Sequence, residues 1–482
     1  MKKLLIFFAA LGMVSCDSWL DINYDPNSPS DLTSDLVFPA AELNVAGPLG
    51  NQLHIIGSML AQHYTYQIGT QNYTNYSRFI VSSTNTNSAY NNLYIRALSN
   101  LEYVREIASD NAGIALAVTV LRAVTFQTLV DAYGETPYTE ATGGGANPTP
   151  AYDDGATVYD GVLQELDEAL AAVTGSETMC DNMLFDGNTG VANWVRLANA
   201  IKLRMLMRMS NVRNVQAEVG ALLAEDNFPT ANVGWKNCWA NQSGQTSPLY
   251  QECVLGSATN DIIMNVAYSN SLAEDDPRMP SRFSPNDEGK YVGRISGHEY
   301  NPNTEATATK CCKPVIVYNQ PVWLITVAEI EFFKAEYAFR YGSKSDAKAH
   351  YEAALDAAFA DVNADNAADF YGAGGDYAWD DARGLEQIGV QKWLSFGNVN
   401  GFEAWCEARR MGYPAFGSAD AAAILADEDA YTAGTLYTPD FRNSELSDKM
   451  LLQRFKYADV STSRNQNAPA QKSASEPVFW AK

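Results

Sequence analysis

From Gly113 to Ala141 the chain is apolar on nearly every side. Ile114, Leu116, Val118, Val120, Leu121, Val124, Phe126, Leu129, Val130 and Tyr133 spread around most of a helical wheel, which predicts a core helix covered from several directions. Asp110 or Asn111 can cap its start, Gly134 stands where a left-handed residue would end it, and Pro137 prevents continuation. Arg122 lies inside this run, and a buried guanidinium needs a partner from elsewhere in the chain.

Helical spacing recurs on both sides. Leu36, Leu43, Leu53, Ile56, Met59 and Leu60 predict two helices, capped at Thr33 or Ser34 and broken at Gly47-Pro48. Val162, Leu166 and Leu170 predict another over 158–173. Trp194, Leu197, Ala198 and Ile201 follow the spacing of the first helix of a tetratricopeptide repeat. Ala347, Tyr351 and Ala354 follow that of a second helix, with Ala335 at the small position before it. Helices are expected at 322–341, 344–359 and 401–410. The last stops at Gly412 and Pro414, with Arg409 and Arg410 complementing its dipole.

Residues 228–320 break this pattern. They are rich in Gly, Pro, Asn and Ser, and predict an irregular lobe with short strands such as 315–318. The expected fold is mainly α: a tetratricopeptide-like scaffold of helical pairs, 35–227 and 321–482, carrying that lobe within one domain. Phe479 and Trp480 should dock the tail on the body.

The first residues stand outside this domain. Lys2 and Lys3, an apolar run from Leu4 to Val14, and Ser15 before Cys16 make residues 1–15 a secretory signal and Cys16 a lipidation site. Residues 16–34, with Pro26 and Pro29, read as a tether. No later apolar run is expected to cross a membrane. Export makes disulfides possible among Cys180, Cys238, Cys253, Cys311, Cys312 and Cys406, with Cys238–Cys253 the most plausible pair. The net charge of −24 argues against nucleic acid as a partner.

The leading candidate surface is the stretch 63–94. It carries Tyr64, Tyr66, Tyr73 and Tyr76 among Asn72, Asn75 and Arg78, joining aromatic faces to groups that donate and accept hydrogen bonds, as a polar ring requires. Packing of a long loop, or contact with another protein, explains the same residues equally well. Catalytic chemistry has little support. There is no G-x-S-x-G, H-E-x-x-H or phosphate loop, and the four histidines do not form a metal set. The pairs Asp153-Asp154, Asp275-Asp276 and Asp380-Asp381 read as solvated turns, since chain neighbours do not face each other across a sugar. Asp361, Asn363, Asp365 and Asp369 match part of a calcium loop, but Asn366 replaces the turn glycine and Gly372 the bidentate Glu. No cofactor is expected.

Ordered segments along the chain resemble the SusD/RagB-like lipoproteins of Bacteroidetes outer membranes. They are D-P-N at Asp25, R-A-x-x-F-Q-x-L-x-D-x-Y-G-x-x-P-Y-x-E-A from Arg122, and Y-D-x-x-x-x-V-Y from Tyr152. W-x-x-x-A-N-x-x-x-L-R from Trp194, D-D-P-R-M-P from Asp275, Q-K-W from Gln391, and E-A-W-x-E-A-R-R-M-G-Y-P from Glu403 complete the set. The resemblance implies a lipid-anchored outer-membrane protein facing the exterior. It would sit on a SusC-like TonB-dependent β-barrel and deliver oligosaccharides to it, without catalysis. The family's habit of placing an aromatic platform on the early loop and the lobe adds Trp235, Trp239 and Tyr291 to Tyr64, Tyr66, Asn72, Tyr73, Tyr76 and Arg78 as candidates. Peptide capture on the same fold, a secreted glycan hydrolase, and a lid that binds only its barrel are the competing readings.

Overall fold

A computed structural model describes residues 32–70, 72–141, 147–185, 190–256, 261–298 and 310–481. The expected signal segment, Cys16 and all but the last residues of the expected tether lie outside them. The helices that frame the molecule are α1 (Ser34–Gly50), α2 (Gln52–Leu60), α3 (Leu98–Ile107), α4 (Ala112–Tyr133), α5 (Gly155–Ala172) and α6 (Ala192–Arg208). In the C-terminal half come α7 (Val327–Tyr341), α8 (Lys344–Ala360), α9 (Gly384–Phe396) and α10 (Gly401–Met411).

Helix α4 is the predicted core helix. Asn111 Oδ1 accepts from the amides of Gly113 and Ile114 at 3.0 and 3.1 Å, and Gly134 ends it at φ +86°. It packs on α3, α5 and α6, and only three of its 22 residues escape full burial. Its 22 residues are in fact long and apolar enough to cross a membrane, contrary to expectation; the surrounding helices make it a core element, with 94% of its apolar window buried. Arg122 finds Glu165 at 3.3 Å on α5 and Glu102 at 3.2 Å on α3.

The helical pairs appear where the spacing placed them. Trp194, Leu197, Ala198 and Ile201 are buried on α6, and Ala335, Ala347, Tyr351 and Ala354 close the α7–α8 hairpin. The break between α1 and α2 falls at Asn51, after Gly47-Pro48. Pro48 sits in the last turn of α1, where it removes one i→i−4 hydrogen bond just before the helix ends, and it is buried with Val45 and Ala46. Two strand readings also shift. Residues 322–325 form a strand, and the helix begins only at Val327, capped by Thr326. A short apolar run such as V-W-L-I suits either element until its pairing is known. The expected strand at 315–318 is absent; Lys313–Pro314 pairs with Phe283–Ser284 instead.

A network of ion pairs is buried within the apolar core. Arg204 on α6 binds Glu329 on α7 at 2.7 Å and approaches Glu403 on α10 at 3.5 Å. Arg208 meets Glu403, Glu407 at 3.2 Å and Asp131 on α4 at 3.6 Å. Lys392 on α9 binds Glu407 at 2.8 Å, and Arg410 joins Glu407 to Glu336. Arg409 donates to the carbonyl of Asp131 at 2.8 Å. Arg409 and Arg410 are therefore buried cross-links between helices, and the dipole role expected of them is secondary. The tail docks as predicted, with Trp480 buried and its indole nitrogen 2.7 Å from Asp131 Oδ1.

Cys253 is a buried thiol with no disulfide to Cys238, so the expected bridge does not form. One buried acid makes stability depend on pH. Burial pushes Glu42 on α1 up from 4.5 to about 8, although the amides of Met183 and Leu184 donate to it at 2.7 and 3.2 Å. The unfolded chain releases this proton near 4.5 while the folded chain holds it to about 8, so its contribution is full below 4.5 and is lost as pH rises through 8. Urea unfolding of the wild type and Glu42→Gln at pH 5 and pH 8.5 checks this. The wild type should lose stability relative to the variant at the higher pH, and an unchanged gap would contradict it.

Candidate functional site

The crossing of α2 and α10 sets where the early loop begins. A Cβ on Gly401 would lie 2.0 Å from Ser58 Oγ and 2.4 Å from the His54 carbonyl oxygen, so only glycine permits this approach. The chain leaves α2 into β1 (Tyr64–Tyr66), which pairs antiparallel with β2 (Ile262–Met264), Thr65 opposite Ile263. That pairing carries residues 67–70 and 72–80 alongside lobe residues 251–256 and 261. Gln67 N donates to the Asp261 carbonyl at 2.7 Å, Asn72 Nδ2 to Asp261 Oδ2 at 2.6 Å, and Tyr73 Oη to Glu252 Oε1 at 2.9 Å.

Tyr73 and Tyr76 stand 5.9 Å apart with their rings inclined by 31°. Both are half-buried against the core, and Asn72 is exposed. Tyr73 holds φ +62°, a left-handed conformation that a bulky side chain rarely takes and that costs about 1–3 kcal/mol. Burial and the Glu252 carboxylate push the Tyr73 hydroxyl far up and that of Tyr76 up to about 12, so both remain neutral donors. The result is a pair of aromatic faces flanked by an amide and two carboxylates. Such a set can stack on an apolar ring face and accept hydrogen bonds from its hydroxyls.

Other predicted site residues lie elsewhere. Tyr64 and Trp235 are 0% exposed and Tyr66 7%, so none offers a face to a ligand. The Tyr64 hydroxyl is held by His54 at 3.2 Å and by Asn398. Tyr66 lies beneath the Arg294 guanidinium, 4.6 Å from its ring centre. These tyrosines belong to a strand whose pairing buries both of its faces, which a polar sequence context did not reveal. Trp239 is partly buried and donates to the Trp235 carbonyl at 2.9 Å. Tyr291 is partly buried near Cys312. Arg78 turns to Phe441, 5.6 Å from that ring. Among the described residues no ring contact joins Trp235, Trp239 or Tyr291 to Tyr73 or Tyr76. Sequence reading missed Glu252 and Asp261, whose only signal is their partner across 179 and 189 residues of chain.

The paired acids do structural work. Asp153 accepts from the amides of Tyr138 and Thr139, each at 2.9 Å, and Asp154 caps α5. Asp276, expected in a solvated turn, is buried between Arg278 at 2.7 Å and the Tyr377 hydroxyl at 2.6 Å. In the calcium-like loop Asp361 accepts from Asn232 at 2.8 Å, and Asp369 lies on the short helix Ala367–Tyr371. Among the described residues no group of three His, Cys, Asp or Glu side chains is placed to hold a metal.

Residues 26–432 match the SusD-like family model described as "Starch-binding associating with outer membrane". No curated protein matches the chain. Several solved structures share its fold. A SusD homologue from Bacteroides uniformis superposes with a TM-score of 0.73 at 19% identity, over 93% of this chain and 100% of that one. A SusD-like protein from Bacteroides thetaiotaomicron gives 0.73 at 19%, over 93% and 98%. A chitin-binding SusD homologue from Flavobacterium johnsoniae gives 0.71 at 18%, over 92% and 98%.

Proposed function

We infer the function from one premise: the chain belongs to the SusD-like family, whose description is starch-binding and associating with the outer membrane. The protein captures oligosaccharides at the cell surface and passes them to a SusC-like TonB-dependent β-barrel, with no covalent chemistry of its own. Lipidation at Cys16 anchors it to the outer membrane, facing outward. The observation that carries this reading is the Tyr73–Tyr76 pair beside Asn72 and Glu252. Aromatic faces take the apolar side of a pyranose, while Glu252, Asp261 and Asn72 exchange hydrogen bonds with its hydroxyls. A chitin-binding relative of the same fold supports the ligand class.

The two carboxylates favour one second reading, capture of a basic peptide on the same rings. Native gels containing soluble starch or glycol chitin, run with the chain from Asp17 onward, separate the two. Retarded migration in a glycan gel is the expected result. Unretarded migration in both, with binding of a lysine-rich peptide by calorimetry, would transfer the ligand class to peptides.

A further inference from the structure

We propose that Arg78 and Phe441 form a subsite beside the Tyr73–Tyr76 platform that reads an anionic group, a carboxylate or a sulfate, on the captured sugar. This rests on the glycan-capture reading above and narrows its ligand to acidic glycans. Arg78 follows Tyr76 by two residues, just past the short helix Thr74–Ser77 that carries that ring. Its carbonyl accepts from the Asn443 amide at 2.9 Å, and the Gly297 carbonyl accepts from the Phe441 amide at 2.7 Å. Gly297 holds φ +71°, and a Cβ there would lie 2.3 Å from Pro439 Cβ and 3.0 Å from the Ser77 carbonyl oxygen. Residues 439–443 are therefore pinned against the loop that bears the platform, with the Phe441 ring 5.6 Å from the Arg78 guanidinium.

Three observations carry the proposal. First, Arg78 has no counter-charge. Among the described residues no carboxylate pairs with it and no group accepts a hydrogen bond from it; its side-chain contact is the Phe441 ring, and its Nε is buried and unpaired. The two Nη atoms are also unbonded but keep accessible surface, so they can meet an anion from solvent. Nearby charges are already taken: Arg442 by Asp448, Lys456 by Glu445, and Asp440 by the Ala422 amide. Second, Phe441 is 48% exposed, the most exposed aromatic ring among the described residues. An open ring next to an unpaired guanidinium offers a face for a pyranose and a charge for its substituent. The planar fork of arginine matches a carboxylate or sulfate with two parallel hydrogen bonds. Third, the two sides of the loop differ in sign. Glu252 and Asp261 hold Tyr73 and Asn72 on the lobe side, whereas Arg78 lies on the side of residues 441–443. A glycan crossing the rings meets acceptors for its hydroxyls at one end and a cation at the other. The net charge of −24 does not cancel this, because at physiological salt its field is screened within about 8 Å.

Native gels of the chain from Asp17 onward, cast with polygalacturonate, alginate or λ-carrageenan, test this beside gels of soluble starch and fully methyl-esterified pectin. The first two acidic glycans present carboxylates and the third sulfates; the esterified pectin keeps the sugar of polygalacturonate without its charge. At least one acidic glycan should bind about 10- to 100-fold more tightly than either neutral one, the range of a charge-assisted hydrogen bond. Calorimetry with the trisaccharide of the best-retarding glycan measures the same difference. Arg78→Gln should bring that affinity down to the neutral level, and Arg78→Lys should restore part of it, because lysine keeps the charge without the fork. Arg78→Gln has no ion pair to lose, so urea unfolding should be nearly unchanged. Neutral glycans bound as tightly as acidic ones, or an acidic preference that Arg78→Gln leaves intact, would overturn the subsite while the platform reading stands. No retardation in any of the five gels would overturn both.

Discussion

Arg208→Met is expected to lower the unfolding free energy by about 3–5 kcal/mol, the usual cost of removing one partner from a buried ion pair. Arg208 is 0% exposed, and burial works against its charge; Glu403 and Asp131 reverse that and hold its pKa well above the ordinary value. Without it Glu403 keeps Arg204, and Glu407 keeps Lys392 and Arg410. The Asp131 carboxylate loses its ion-pair partner and keeps neutral donors, the Tyr159 hydroxyl and the Trp480 indole among them, with the Arg409 guanidinium on its main-chain carbonyl. Methionine fills much of the volume, so the lost charge dominates. Urea unfolding followed by circular dichroism measures the change. The pair Arg208→Met and Glu403→Gln should cost less together than the sum of the two, because they share one network. A loss under 1 kcal/mol would show that water reaches this lattice.

Tyr73→Ala/Tyr76→Ala is expected to weaken glycan binding at the platform by about 2–4 kcal/mol, roughly 30- to 1000-fold, as for other aromatic anchors. Both rings pack partly on the core, so the variant should also lose some stability. Circular dichroism separates unfolding from loss of contact. Glu252→Gln should cost less. It keeps an acceptor for the Tyr73 hydroxyl, now 2.9 Å away, and removes one charge.

The segments that make the chain legible encode its core more than its ligand. In the stretch from Arg122, Arg122 pairs with Glu165 and Glu102, the Tyr138 hydroxyl donates to Glu165 at 2.6 Å, and Asp131 receives Tyr159 and Trp480. In the stretch from Glu403, the two glutamates and two arginines close the ionic lattice, and Trp405 stacks on Phe455 at 4.8 Å. These roles depend on spacing along a helix, so local pattern exposes them. The candidate site depends on β1 meeting β2 across about two hundred residues, and nothing near Tyr73 names Glu252 as its neighbour. The same pairing buries Tyr64, and Trp235 is buried on its own strand against residues 322–325. Tyrosine in a polar stretch therefore signals a platform only when its strand partner is known.

The most direct test is a crystal structure of the chain from Asp17 onward, soaked with the trisaccharide it binds. Density for a pyranose over the Tyr73 and Tyr76 rings, within hydrogen-bond reach of Asn72 or Glu252, is the expected result. A sugar found only elsewhere, with the Tyr73–Tyr76 surface empty at saturating ligand, would contradict capture at this site.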